Sequence, residues 1–194
     1  GFEIVVPGQG TPAARMAASE LAEQLGRVLN CELEVLDRKS GKLPALIVGD
    51  AELARQHGME VAKLDRDGFF IRTVGEDVLI VGCDSPSTVS TWTERASLFA
   101  VYDFLERFAG VRFYFPGDIG TVAHRLSEWK LPVEIDIMDR PDFQYRRLYM
   151  INIQRISGKK NRVVWYEQVP DPMKRYRLAE MRYRMQTRNI PNSH

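Results

Sequence analysis

The chain has 194 residues, of which 44% are hydrophobic and 10% aromatic, a composition typical of a globular protein and not of a disordered one. No apolar run approaches the roughly 18 residues that a membrane span requires, so no membrane-spanning segment is expected in these 194 residues. The formal net charge of +1 hides a division: residues 1–139 hold 14 Lys and Arg against 22 Asp and Glu, whereas residues 140–194 hold 13 against 4.

The chain begins with a strand pattern and a helix pattern. Residues 2–6 form a short β-rich run. Thr11 is expected to cap the helix that follows, and Pro12 fits the first helical position, where its missing N–H costs nothing. Apolar residues then keep helical spacing through residue 29, which predicts an amphipathic helix.

Four strands and a short helix are predicted next. Residues 31–36 alternate apolar and polar, as expected of a half-buried strand, and residues 45–49 are a continuous apolar run typical of a central strand. A short helix is predicted for residues 51–56. Residues 68–74 and 78–83 read as a β-hairpin, because a three-residue connection containing Gly75 separates them.

A second long helix is predicted from residue 94 to residue 109. Six apolar residues recur at helical spacing, and Arg107 lies in the last turn, where the helix dipole favours a cation. Gly110 suits a left-handed C-terminal cap. A strand is predicted at residues 111–115, so the unit reads as a core helix followed by a core strand.

Strands and helices interleaved in this way favour a mixed sheet with both long helices packed on one face, a two-layer α/β sandwich. The charge division and the helix-disfavouring Arg140-Pro141 step place the domain boundary there. We therefore predict an α/β domain over residues 1–139 and a second segment over residues 140–194.

Few residues of the first domain point to chemistry. Residues 7–12 lack both GxGxxG and a Walker lysine, and Ser85 and Ser87 lack a GxSxG elbow. His57 and His124 are interpreted as surface histidines. Asp65 and Asp67 would need further oxygen ligands to hold a cation, so they are read as turn residues. We expect no catalytic residue, cofactor or metal in this domain.

The two cysteines, Cys31 and Cys83, lack CxxC spacing, so a zinc site is not expected. Both fall in predicted strands, where a buried free thiol is the expected state. A disulfide would require these strands to be neighbours.

A series of motifs resembles the accessory α/β domain that precedes the catalytic barrel in family 20 hexosaminidases, family 67 α-glucuronidases and an uncharacterised bacterial group of glycosidase-like proteins. The motifs are Thr11-Pro12-Ala13-Ala14 with Glu20-Leu21-Ala22, Ile47-Val48-Gly49, Asp67-Gly68-Phe69-Phe70-Ile71, Val81-Gly82, Ala100 through Glu106, Gly110-Val111-Arg112-Phe113 and Gly117 through Thr121. The resemblance covers about residues 2–140. It implies a non-catalytic domain that supports the barrel following it.

The second segment resembles the start of such a barrel, with Arg146 at the end of the first barrel strand. The resemblance implies substrate-binding roles for Arg146, for the neighbouring Arg147 and for His194. An arginine can donate two parallel hydrogen bonds to vicinal hydroxyls or to a carboxylate. The alternative for Arg146 is a solvated residue or an ion pair at the domain junction.

A complete barrel of about 250 residues does not fit after residue 140, so this segment is expected to be an incomplete (β/α) barrel. The two carboxylates of glycoside hydrolysis would lie elsewhere in the parent protein, and this chain alone is expected to be inactive. The competing hypothesis is a stand-alone carbohydrate- or protein-binding module.

The expected partners are carbohydrate, bound by the complete parent protein, and the remainder of the barrel. With the rest of the barrel missing, its exposed apolar strand edges also predict self-association with a second copy. The arginines and aromatic residues of the basic segment suggest nucleic acid, but no RRM, KH or helix-turn-helix signature accompanies them, so no nucleic acid is expected. Gly1-Phe2 is typical of a trimmed N-terminus, and we expect a removed signal peptide and a secreted or periplasmic protein.

Overall fold

The computed structural model of the protein describes residues 1–64, 67–89, 93–114, 117–143, 146 and 178–185. The strands are β1 (Glu3–Val5), β2 (Val35–Leu36), β3 (Ala45–Val48), β4 (Phe69–Val74), β5 (Asp77–Gly82), β6 (Arg112–Phe113), β7 (Thr121–Val122) and β8 (Asp136–Asp139). The α-helices are α1 (Pro12–Leu29), α2 (Ala51–Gln56) and α3 (Ala96–Phe108), and short 3-10 helices lie at Val61–Lys63 and Asp118–Gly120. Residues 178–182 are helical and a turn follows them. The helix and the turn together are called the 178–185 segment.

A six-stranded mixed sheet lies at the centre, in the order β2-β1-β3-β5-β4-β8. The strands β2, β1, β3 and β5 are parallel, and β4 runs antiparallel to both β5 and β8. The predicted hairpin is present as β4 and β5, and Gly75 in its turn has a φ of 63°, which glycine adopts without a steric penalty. The mixed α/β architecture is therefore confirmed.

Local signals explain both ends of α1. The Thr11 hydroxyl accepts a hydrogen bond from the amide of Ala14 at 3.0 Å, and Pro12 begins the helix. Asn30 ends it with a φ of 54°, in the left-handed region that Asn tolerates better than most residues. The buried face of α1 is rich in alanine, which allows its backbone to approach the sheet and α3 closely.

Both long helices pack on one face of the sheet, as predicted. Leu46 and Ile80 point from their strands into this helix layer, whereas their neighbours Ile47 and Leu79 point to the opposite face. That face is covered by α2 and the 3-10 helix at Val61–Lys63. The main core therefore lies between the sheet and the pair α1 and α3.

Several predicted elements are shorter than expected or differently placed. Of the strand predicted at residues 111–115, residues 112–113 form β6, which pairs with β7 in a separate two-stranded sheet, and residue 115 lies outside the described residues. Strand β8 was not predicted, because a four-residue edge strand with an aspartate at each end has little periodic signal. It is held in place by pairing with β4.

The expectation of a buried Cys31 in a strand is wrong. Cys31 lies just after the C-terminal end of α1, and its amide donates to the carbonyl of Gly26 at 3.1 Å. Of the strand predicted for residues 31–36, only β2 forms. Cys31 is exposed and Cys83 is partly buried, and both are free thiols. The expected start of a barrel lies mostly outside the described residues.

Candidate functional site at the junction of the acidic and basic segments

Three arginines from the basic segment, residues 140–194, pair with carboxylates from the acidic residues 1–139. Arg182 and Arg184 lie in the 178–185 segment, and Arg146 lies just after β8 in the chain. Their partners are Glu20 of α1, Asp103 and Glu106 of α3, and Asp67, which precedes β4. The charge division of the sequence thus becomes a set of ion pairs across one interface.

The most deeply buried pair joins Arg182 to Glu20. The Arg182 Nε donates to Glu20 Oε2 at 3.1 Å, and its Nη2 lies 3.4 Å from Oε1. The two residues are 8% and 7% exposed, and the Arg182 guanidinium lies 4.7 Å from the centroid of the Phe113 ring. Two donors on one carboxylate make this a bidentate contact that lysine could not reproduce.

Tyr102 of α3 completes this buried group. Its hydroxyl donates to Glu20 Oε2 at 3.1 Å, so one carboxylate links α1, α3 and the 178–185 segment. Burial raises the pKa of Tyr102 well above its ordinary value, and the charge of Glu20 acts in the same direction. Tyr102 therefore acts as a neutral hydrogen-bond donor.

Arg184 makes a second, more open contact with α3. Its Nη1 donates to Asp103 Oδ1 at 2.9 Å, and its Nη2 donates to Glu106 Oε2 at 3.3 Å. Asp103 is itself buried and also accepts from Arg107 Nε at 2.5 Å. Asp103 would consequently keep one cationic partner if Arg184 were lost.

Arg146, the predicted sugar ligand, is placed at this junction. Its Nη2 pairs with Asp67 Oδ2, its Nε donates to the carbonyl of Arg184 at 3.0 Å, and its Nη1 donates to the carbonyl of Phe143 at 2.6 Å. These contacts correspond to the alternative of a junction ion pair. The other two predicted ligands, Arg147 and His194, lie outside the described residues.

Arg95 is a junction residue that sequence reasoning missed. It lies directly before α3, is fully buried, and donates to the carbonyls of Thr93 at 3.1 Å and of Met185 at 2.9 Å. Burial lowers its pKa to about 10, against the opposing effect of Asp67. A lone arginine before a helix carries no sequence signal of burial, whereas Glu20 does, because it interrupts the apolar face of α1.

A cavity of about 250 Å³ lies between these groups, lined in part by Asp67, Phe99, Arg140, Arg146, Tyr183 and Arg184. The arginines that line the cavity already make contacts within the protein, as in the pairs of Arg146 with Asp67 and of Arg184 with Asp103. Their charges therefore stabilise the junction.

The described residues do not assemble a reaction centre. No group of three or more His, Cys, Asp or Glu in the described ranges could hold a metal ion. Among the candidates named from the sequence, His57 and His124 are exposed, and the hydroxyls of Ser85 and Ser87 lie 3.4 Å apart, in contact with each other. Asp65 lies outside the described residues. Within that part of the chain, no helix has the length and apolar character to cross a bilayer.

The fold and the junction define an α/β domain to which a basic, arginine-bearing segment is docked. The family model described as the glycosyl hydrolase family 67 N-terminus matches residues 2–103, more than half of the chain. The chain therefore belongs to this family, and the resemblance to an N-terminal glycoside hydrolase domain is confirmed.

A solved structure supports the same fold. The chain is similar to a family GH115 4-O-methyl-α-glucuronidase, BtGH115A, described as specific for decorated arabinogalactans, with a TM-score of 0.58 and 15% sequence identity. The similarity covers 95% of this chain and 24% of that one, so the chain spans about a quarter of the relative's length. No curated protein matches the chain in sequence.

Proposed function

We propose that this chain is the non-catalytic accessory domain of a glycoside hydrolase together with the opening segment of its catalytic barrel. The domain would hold that segment in position, and carbohydrate would be bound and cleaved by the complete parent protein. The family match and the shared fold of the α-glucuronidase support this proposal.

The observation that carries the proposal is the junction itself. Buried arginine and carboxylate pairs are costly to form, because both ions lose water, and they persist where geometry compensates for that loss. Arg182 meets Glu20 in such a geometry, and Arg95 holds the carbonyl of Met185 at the end of the same segment. These contacts fix the 178–185 segment against α1 and the start of α3.

The roles of Arg146, Arg147 and His194 in sugar binding remain a prediction. The contacts of Arg146 with Asp67 and with two backbone carbonyls support a positioning role at the junction instead. Self-association through strand edges also remains a prediction. It concerns the edges of the incomplete barrel, whose residues lie mostly outside the described part of the chain.

A turnover assay tests the proposal. The purified 194-residue chain is incubated with a panel of aryl glycosides that includes an aryl α-glucuronide. A characterised glycosidase is run in parallel to show that each substrate can be cleaved. We expect no release of the aryl group by the chain, and catalytic release would overturn the non-catalytic assignment.

The parent gene offers a second test. We expect its reading frame to continue for about 250 or more residues with barrel periodicity and a pair of carboxylates. A stop codon soon after His194 would favour the competing hypothesis, a stand-alone binding module.

A further inference from the structure

The sheet contains a topological switch point that the proposed function does not use. The chain passes from β1 to β2 on one side and then to β3 on the other side of β1. In open α/β sheets, ligands bind in the crevice outside the carboxyl ends of the strands at such a point. Helix N-termini at that edge supply N–H donors that favour anions.

A side chain of the protein itself lies at this edge of the sheet. Asp84 follows β5, and its Oδ2 accepts from the hydroxyl of Thr11 at 3.0 Å, while its Oδ1 accepts from the amide of Ser97 at 2.9 Å. Thr11 caps α1, and Ser97 is the second residue of α3. One carboxyl group therefore joins the N-termini of both long helices.

The backbone around this group is closely packed. Gly49 ends the β3 region with a φ of 75°, and a Cβ there would lie 2.2 Å from the Cβ of Ala14 in α1. A Cβ on Gly82 would lie 2.4 Å from the carbonyl carbon of Ala96 in α3. The amide of Gly82 also donates to the hydroxyl of Ser97 at 3.0 Å, which ties the end of β5 to the same group.

We propose that the Asp84 carboxyl group substitutes, from within the chain, for the ligand that open α/β sheets bind at this position, and so closes the crevice permanently. The domain then needs no bound ligand to hold α1 and α3 on the sheet. Removing the side chain would leave a cavity with the Thr11 and Ser97 donors intact, of a size and chemistry suited to a small carboxylate. This inference concerns the domain alone and does not depend on the proposed function.

Chemical rescue tests it. The melting temperature of the chain with Asp84→Gly is measured in sodium formate and in sodium chloride at equal concentration and neutral pH. We expect the variant to melt on the order of 5 °C below the natural chain in chloride. We expect formate to restore at least half of that difference, with saturation, whereas the natural chain responds equally to both salts. Inorganic phosphate should likewise give the natural chain no saturable stabilisation.

Two control variants test whether the response to formate comes from the cavity or from the loss of stability itself. Asp84→Asn fills the same space and should show no specific response to formate. Asp50→Gly removes a comparable cap, since Asp50 Oδ1 accepts from the amide of Leu53 at 2.9 Å, but it faces only the short helix α2. It should lose stability without recovering it in formate.

The inference is overturned if Asp84→Gly melts like the natural chain, or if formate and chloride act equally on it. It is also overturned if Asp84→Asn responds to formate as strongly as the glycine variant does. Should Asp84→Gly not fold, Asp84→Ala is measured in the same way. If neither variant folds in formate, formate does not replace the Asp84 side chain, and the inference is overturned too.

Discussion

The two faces of α3 are held by different forces. Towards the sheet, Leu98, Val101 and Leu105 are fully buried among apolar side chains, together with the alanines of α1. Towards the 178–185 segment, α3 presents Asp103 and Glu106, which receive Arg184. The first contact rests on the hydrophobic effect, whereas the second combines ion pairs with the apolar burial of Met181.

This difference shows that the apolar core and the ion pairs of the junction have different roles in the fold. Apolar packing requires shape and volume but tolerates many partners, whereas a buried carboxylate requires a cation at one place. The core therefore provides most of the stability, and the junction determines where the basic segment lies. Substitutions in the core and substitutions at the junction should therefore lower the free energy of unfolding by different amounts.

The largest effect is expected in the core, from Gly49→Ala. An alanine at a φ of 75° is strained, and its Cβ would lie 2.2 Å from the Cβ of Ala14. Strain and overpacking together should cost about 4 kcal/mol in the free energy of unfolding, measured in urea. Gly75→Ala is the matched control, because its φ is 63° with nothing within 4 Å of the added Cβ, and it should lose about 1 kcal/mol. Equal losses would show that α1 does not pack closely against the end of β3.

A smaller effect is expected at the junction, from Arg182→Met. The substitution leaves the carboxylate of Glu20 buried without its cation, which should cost about 3 kcal/mol. Adding Glu20→Gln removes the charge while keeping an acceptor for Tyr102, and should restore at least half of the loss in a double-mutant cycle.

Arg184→Met is the control for this cycle. Asp103 would still be paired with Arg107, so a loss of only about 1 kcal/mol is expected. If Arg182→Met cost no more than Arg184→Met, the buried pair would not be what positions the 178–185 segment.

The smallest effect is expected from the pH dependence of Asp84. Burial raises the pKa of this carboxyl, and hydrogen bonds from Ser97 and Thr11 oppose that rise only in part. The stability that the group contributes is therefore fully present below its ordinary pKa of 3.8, and is lost as pH rises through the pKa of the folded state. Relative to Asp84→Asn, the natural chain should gain stability as pH falls from 7 to 4, measured in parallel urea titrations. A constant difference between the two would contradict this sign.

Much of the fold could be predicted from local patterns. The caps at Thr11 and Gly110, the apolar faces of α1 and α3 and the hairpin turn at Gly75 each depend on a few neighbouring residues, and the structure confirms them. Strand β8 and the separate pairing of β6 with β7 could not be predicted in this way. Such short strands exist because a distant strand pairs with them.

The candidate site was only half predictable. The charge division at residue 140 marked the start of the basic segment, and an ion pair at the domain junction was one alternative for Arg146. Neither pattern identifies Arg182 as the partner of Glu20, which lies 162 positions earlier in the chain. The burial of Arg95 likewise appears only once the 178–185 segment covers it.

The sequence by itself determined the two long helices, the hairpin, the side on which each long helix is apolar and the opposite charges of the two segments, because these properties depend on residues close together in the chain. Only the tertiary structure decided which arginine meets which carboxylate, and that Asp84 joins the N-termini of α1 and α3. Those contacts join groups far apart in sequence. Their energy depends on distance and on the water that burial removes, neither of which exists until the chain has folded.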